Sequence, residues 1–202
     1  MKQFIIAFVF LLGSNLSFAQ DFRGYYTASF DFNQPLSNTR WINTTSIGGV
    51  KLGYHRLLSK KFSLGGELNW STYKQYHPTE TFYNASGAMT TDYFNYVYAY
   101  GLVLSGRYLF SYDHVVNPYV GLGMGAAYNK YTTFYNVYTD QNKVFGFLAR
   151  PEAGLLIRFS QVRSLGALIG VHYDYSTAQD KSNGYNNFSN LGLNVGIIVV
   201  NW

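Results

Sequence analysis

Apolar residues recur at every second position along most of this chain, which is the repeat of a β-strand. The clearest example is residues 118–129, with the sequence PYVGLGMGAAYN. One face of this stretch carries large apolar side chains and the other mainly glycine: Val120, Leu122 and Met124 against Gly121, Gly123 and Gly125. A face exposed to water would be charged, whereas glycine suits a crowded interior. An apolar outer face and a small or polar inner face are typical of membrane β-barrel strands.

Eight segments follow this rule: residues 22–32, 46–58, 62–73, 94–110, 118–129, 143–159, 165–175 and 188–202. Long connections (residues 33–44, 74–92, 130–142 and 177–187) alternate with short ones. This rhythm predicts an all-β fold, an eight-stranded antiparallel up-and-down transmembrane β-barrel with extended loops at one end and tight turns at the other. About twelve residues tilted by about 45° rise about 28 Å, close to the height of the apolar band.

Two positions disturb the pattern. Pro151 lies inside the sixth segment and has no N–H to donate, which predicts a bulge or a local gap on the face assigned to lipid. After Gly196 the last segment is apolar on both faces, which leaves a bulge or a change of phase near Ile197 open.

The composition also favours strands over membrane helices. Charged residues make up 12% of the chain, about half the usual share, and aromatic residues make up 19%. Beyond the N-terminus no apolar run approaches the about 20 residues that a membrane helix needs. The chain has no cysteine, which excludes disulfides, thiolate metal sites and a lipoprotein anchor.

The N-terminus carries the features of a secretory signal peptide. Lys2 supplies the positive region, residues 4–13 the apolar region, and Ser17-Phe18-Ala19 the small-x-small cleavage site. The alternative, a membrane anchor, is disfavoured because the apolar run is short. We therefore predict a signal peptide at residues 1–19 and a barrel domain at residues 20–202. Removing Lys2 lowers the net charge from +5 to +4, and no basic run indicates nucleic-acid binding.

Five charged residues fall on the inward faces near mid-barrel: Lys51, Glu67, Arg107, Arg150 and Glu152. Unpaired charges in a narrow interior are costly, so we expect these residues to form ion pairs. The inward glycines of residues 118–129 leave room for the long side chains of Arg107 and Arg150. Since side chains just fill an eight-stranded barrel, this predicts a plugged lumen. A gated path for small solutes through the same charges is the alternative.

Signals for catalysis are weaker. His172, Asp174 and Ser176 share one strand face, whereas the members of a catalytic triad usually converge from separate elements. Polar lining of the lumen is the preferred interpretation, with a membrane-lipid hydrolase as the rival. His55 is also assigned to the lumen, and no metal-ligand spacing surrounds His77 or His114. The sequence predicts no enzyme, no metal site and no cofactor.

Aromatic residues cluster at both ends of the segments, as the two membrane interfaces require. Tyr119 is assigned to the tight-turn girdle. Seven more lie beyond the other girdle: Tyr76, Phe82, Tyr83, Phe134, Tyr135, Tyr138 and Tyr185. They either pack the loops and extend the strands above the membrane, or form an exposed contact surface for a partner outside the cell.

The apolar leader, the alternation, the loop rhythm and the aromatic last residue, Trp202, resemble those of the small outer-membrane β-barrels: the OmpA transmembrane domain, OmpX and OmpW. The resemblance implies a monomer in the outer membrane of a Gram-negative-type cell, with both termini periplasmic. It implies two partners, outer-membrane lipid and the barrel-assembly machinery, the latter through the strand ending at Trp202. An extracellular ligand is expected but not identified.

Three functions follow from this resemblance. The first is a non-enzymatic barrel that contributes to envelope structure and surface contacts. The others are a narrow porin-like or hydrophobic-solute conduit and an outer-membrane lipid-modifying enzyme.

Overall fold

The computed structural model describes residues 23–84, 87–111, 114–135, 138–159, 164–179 and 184–201. The predicted signal peptide and Trp202 lie outside these residues. Eight antiparallel strands close into a barrel in chain order. They are β1 (Gly24–Pro35), β2 (Ser46–Ser59), β3 (Phe62–Asn84), β4 (Gly87–Leu109), β5 (Val116–Tyr135), β6 (Thr139–Arg158), β7 (Leu165–Ser176) and β8 (Phe188–Asn201). The predicted fold class is confirmed.

The two faces of each strand differ as the alternation predicted. On β4, Leu102 and Leu104 point outward and are 60% and 71% exposed, whereas Ser105 and Arg107, which follow them on the other face, are fully buried. An outer wall of exposed leucine is unsuited to water and matches the hydrocarbon of a bilayer. Among the described residues, no helix is long and apolar enough to cross a membrane.

Two of the predicted long loops are wrong. The β3–β4 pairing continues through residues 74–92 up to Asn84 and Gly87, and the β5–β6 pairing continues up to Phe134 and Thr139. These stretches are rich in Tyr and Thr, which favour strands even without an apolar face. The pairing is broken only between His77 and Glu80, around the proline at position 78.

The strands on either side, β2 and β7, do not extend with them. The β2–β3 pairing ends at Trp70, and the β6–β7 pairing ends at Leu148. Four strands therefore project beyond the closed barrel as an open sheet. We call residues 74–84, 87–96, 132–135 and 139–141 the extension sheet.

The strand pairing shows how the barrel accommodates Pro151 and the apolar end of β8. At Pro151 the β6–β7 pairing passes from Ala149–Tyr175 to Glu152–His172 with no change of register, so the proline makes a local gap and no bulge. At Ile197 the register on both sides of β8 is continuous. Ile197 is half exposed and Ile198 is buried, so the last strand keeps its phase.

Ile198 is apolar and inward because the tight-turn end of the barrel interior is filled by an apolar cluster: Tyr25, Leu109, Tyr119, Leu156, Leu168 and Ile198. The assignment of Tyr119 to the membrane girdle is therefore wrong, since its ring is only 2% exposed. A second apolar cluster fills the loop end: Ile42, Tyr73, Val97, Ala99, Tyr131 and Phe188. The charged residues lie between the two clusters.

Candidate functional site

Glu67 of β3 is the centre of the buried charge network. Its carboxylate accepts a hydrogen bond from Arg107 Nη2 at 2.5 Å and lies 3.1 Å from Lys51 Nζ and 3.4 Å from Arg150 Nη1. All four side chains are at most 2% exposed. One carboxylate therefore neutralises cations from three other strands and ties opposite walls of the barrel together.

Glu152 of β6 is the second bridging carboxylate. It accepts from Arg107 Nε at 2.6 Å, from Lys51 Nζ at 3.1 Å and from Ser105 Oγ at 2.9 Å. The structure thus places all five of the predicted lumen charges in one connected cluster.

The inward glycines of β5 make room for this cluster. A Cβ at Gly121 would lie 2.8 Å from Glu152 Oε1 and 3.1 Å from Arg107 Cγ. A Cβ at Gly123 would lie 3.4 Å from that of Arg150 and 2.5 Å from a methyl of Val103. Gly121 therefore leaves room for Arg107 and Glu152, as expected, whereas at Gly123 the close approach is to Val103 and the Arg150 contact is an ordinary one.

The sequence did not identify Asp174 as a partner of Arg150. The guanidinium donates to both Asp174 oxygens, at 2.6 Å from Nε and 2.6 Å from Nη2, and Nη2 also donates to Asn69 Oδ1 at 2.8 Å. The signal was present, because Asp174 was already assigned to the inward face. What was missing was the knowledge that β7 brings it beside Arg150.

The His172, Asp174 and Ser176 arrangement is poorly suited to catalysis. His172 lies 3.9 Å from Asp174 and 3.8 Å from Asp31, too far for hydrogen bonds, and Asp174 is occupied by Arg150. The hydroxyl of Ser176 accepts from the Ala178 backbone N–H at 3.2 Å. This geometry favours the lumen-lining interpretation.

The other histidines also have packing partners. His55 stacks on Tyr25 with ring centroids 5.1 Å apart, and His77 stacks on Tyr93 at 4.6 Å. His114 lies in a bend and is exposed. Within the part of the chain that the structure describes, no group of three or more His, Asp or Glu is placed to hold a metal ion.

Among the described residues, two small voids lie inside the barrel. One void of about 20 Å³ lies between Tyr73, Asp174 and Phe188, and another of about 30 Å³ lies beside Tyr25 and Leu109. Each has room for only one or two water molecules. The β1–β2 loop adds to the closure at the loop end, because Ile42 is fully buried there and Trp41 contacts the Tyr131 ring at 5.5 Å.

The seven aromatic residues predicted as a contact surface divide into two groups. Tyr76, Phe82, Tyr83, Phe134 and Tyr138 lie on or beside the extension sheet and are 53%, 36%, 83%, 38% and 51% exposed. Tyr135 packs between Tyr93 and Tyr138, and Tyr185 lies against Trp41 across the barrel mouth.

Tyr93 belongs to the aromatic packing within the extension sheet. Burial raises the pKa of its phenol, and the nearby Glu80 carboxylate raises it further. The hydroxyl therefore stays protonated at neutral pH and can act as a donor. The sheet is thus held together by ring packing and presents a separate set of exposed rings to its surroundings.

No protein-family model matches the chain, and no curated protein matches its sequence. Among solved structures, Ail, the attachment invasion locus protein of Yersinia pestis, has a TM-score of 0.55 at 10% identity, over 89% of this chain and 99% of Ail. Ail in complex with the heparin analogue sucrose octasulfate gives 0.55 at 11% identity, over 89% and 99%. Neisserial surface protein A (NspA) gives 0.51 at 15% identity, over 89% of this chain and 97% of NspA. The chain therefore has the fold of the small outer-membrane β-barrels, as the sequence pattern predicted.

Proposed function

We propose that this protein is a non-enzymatic outer-membrane barrel with a plugged lumen, which presents the extension sheet for contact with a partner outside the cell. The tight turns and both termini then face the periplasm, and the extension sheet projects from the cell surface. The observation that carries this proposal is the contrast between the two parts. The barrel interior is filled by ion pairs and two apolar clusters, whereas the extension sheet displays exposed aromatic rings.

The exposed rings favour a binding role because single-chain soluble surfaces rarely group large apolar side chains. Tyr83, at 83% exposed, and Tyr138 lie near the tips of the two hairpins, where no other part of the described barrel covers them. Tyrosine combines an apolar ring with a hydroxyl and is well suited to adaptable contacts with proteins or sugars. The fold of Ail, an attachment protein by its name, is compatible with this role.

A plugged lumen predicts that the protein conducts no ions across a bilayer. Purified protein inserted in a planar lipid bilayer should give no steady openings, because the charge network and both apolar clusters block the axis of the barrel. A porin of known conductance, inserted under the same conditions, is the control. Large and steady openings of the folded protein would contradict the plug and favour the conduit alternative.

The contact surface predicts a selective loss of adhesion. Bacterial cells producing the barrel should be retained by at least one coating in a panel of immobilised glycans, heparin included, and extracellular proteins. The triple variant Tyr76→Ser, Tyr83→Ser, Tyr138→Ser should lose at least about tenfold of that retention, since aromatic residues dominate binding surfaces.

The matched control replaces the exposed threonine pair of the same hairpin, Thr81→Ala with Thr90→Ala, whose hydroxyls are 2.9 Å apart. This variant should be retained like the wild type. Equal retention of the triple variant, at equal surface amounts, would exclude the aromatic surface as the binding site.

A further inference from the structure

A row of aromatic side chains crosses the outer wall at the base of the extension sheet. Trp70, Tyr100, Tyr128 and Phe145 are directly paired across β3, β4, β5 and β6. Their ring centroids lie 6.2, 5.8 and 4.6 Å apart. Aromatic rings on the outer wall of a barrel gather in the region where hydrocarbon gives way to headgroups.

Three outward lysines follow this row on the side of the loops. Lys74 lies four residues beyond Trp70 on β3, Lys130 lies two beyond Tyr128 on β5, and Lys143 lies two from Phe145 on β6. On β3 the step corresponds to about 13 Å along the strand, or roughly 10 Å along the membrane normal at the usual tilt.

The tilt of the strands brings the three lysines to a similar height. The direction of tilt follows from the row of directly paired residues that starts at Thr27 of β1 and ends at Phe188 of β8. The residue of β8 that pairs with Pro35, at the loop end of β1, is Asn190, and Phe188 lies two residues beyond it toward the loops. Such a row therefore climbs toward the loop end from β1 to β8. Because the aromatic row rises from β3 to β6, Lys130 and Lys143, two residues beyond it, reach a height similar to that of Lys74, four residues beyond it.

Lys130 and Lys143 are directly opposite each other on adjacent strands. Like charges in this position, with Cβ atoms about 4.5–5.5 Å apart, are destabilising unless an anion lies between them. Rings hold two of the ammonium groups close to the wall: Lys130 Nζ is 5.6 Å from the Tyr98 centroid, and Lys74 Nζ is 4.8 Å from that of Phe94. Among the described residues, no carboxylate forms an ion pair with any of the three lysines.

An apolar groove of about 500 Å³ lies directly below the lysines on the same outer wall. Its lining includes Leu68, Leu102 and Ala126, with Trp70 and Tyr128 at its upper edge. A groove for hydrocarbon under a group of cations has the two-part character of a lipid site. A free anion would use only the upper part, and an acidic protein would have no access to the lower part.

We propose that Lys74, Lys130 and Lys143, with Tyr96 and Tyr98 between them, bind the headgroup phosphate of an anionic lipid whose acyl chain occupies the groove. This inference rests on the proposed function, because it requires the barrel to lie in a membrane with the extension sheet outside it. The ammonium groups supply charge, and the tyrosine hydroxyls supply hydrogen bonds to the phosphate oxygens.

The test compares phosphatidic acid with diacylglycerol of the same acyl chains, since the two lipids differ only in the phosphate. Native mass spectrometry of the folded, detergent-solubilised full chain would count bound lipids and give their affinities. The variant Lys130→Gln with Lys143→Gln should bind phosphatidic acid at least about tenfold more weakly than the wild type, with diacylglycerol binding unchanged. The matched control, Lys60→Gln with Lys61→Gln, removes two charges from the tight turn and should bind like the wild type.

Each other outcome would overturn the proposal. Equal binding of phosphatidic acid by wild type and variant would exclude the lysines as ligands of the phosphate. An equal loss of binding in the control would show that only the net charge of the protein matters. Competition by inorganic phosphate at the same concentration as the lipid would indicate a simple anion site. Loss of cell retention with unchanged lipid binding would indicate a partner surface instead. Gel mobility with and without heating confirms folding of each variant, and bilayer conductance tests the proposed function separately.

Discussion

Replacing Glu67 by Gln should lower the free energy of unfolding by about 3–5 kcal/mol, the usual effect of removing one member of a buried ion-pair network. The substitution preserves the shape of the side chain and removes only its charge. It leaves Lys51, Arg107 and Arg150 with two carboxylates, Glu152 and Asp174, in place of three. None of the three cations can reach water, because all are at most 2% exposed.

The same strand offers a matched control. Glu80 is exposed on the extension sheet, so Glu80→Gln should change the stability by no more than about 0.5 kcal/mol. Urea unfolding of the barrel in lipid vesicles, followed by tryptophan fluorescence, would measure both variants. A loss below about 1 kcal/mol for Glu67→Gln would mean that water or rearrangement neutralises the cations, and the network would then not be the plug.

The barrel could be predicted from sequence because its faces follow from a period of two. Glycine at Gly121 and Gly123 marks the inner wall as clearly as leucine at Leu102 marks the outer one. Inward charges could be predicted in the same way. Their partners could not, since Lys51 and Glu152 are 101 residues apart and meet only because strand order and tilt bring them together.

The extension sheet and the apolar clusters were missed for different reasons. Beyond the membrane a strand needs no apolar face, so the alternation that identified the barrel strands fades while the pairing continues to Asn84 and Gly87. The clusters had a visible signal. Val97 and Leu109 lie on the inward face of β4 and are buried there. A rule that assigns every inward position to polar or small residues hides such apolar plugs.

Replacing Leu104 by Arg should destabilise the barrel by about 2–4 kcal/mol, the cost of a guanidinium at the middle of the bilayer. Leu104 lies midway along β4 between Tyr100 and Tyr108, two outward rings that are each 41% exposed, and is itself 71% exposed. Its side chain has no charged partner on the outer wall among its paired neighbours, Gly66 and Met124. The exposed leucine of the structure is therefore expected to behave as a buried residue in the membrane.

A depth series makes this prediction specific to the membrane. Leu102 is two residues nearer to the loop-end aromatic row, so the guanidinium of Leu102→Arg can extend toward the headgroups and should cost less than that of Leu104→Arg. Leu36 is 52% exposed in the loop after β1, and Leu36→Arg should be nearly neutral. Unfolding in lipid vesicles should rank the losses in that order. Equal losses at Leu104 and Leu36 would mean that the outer wall faces water, and the assignment of the apolar face to lipid would be wrong.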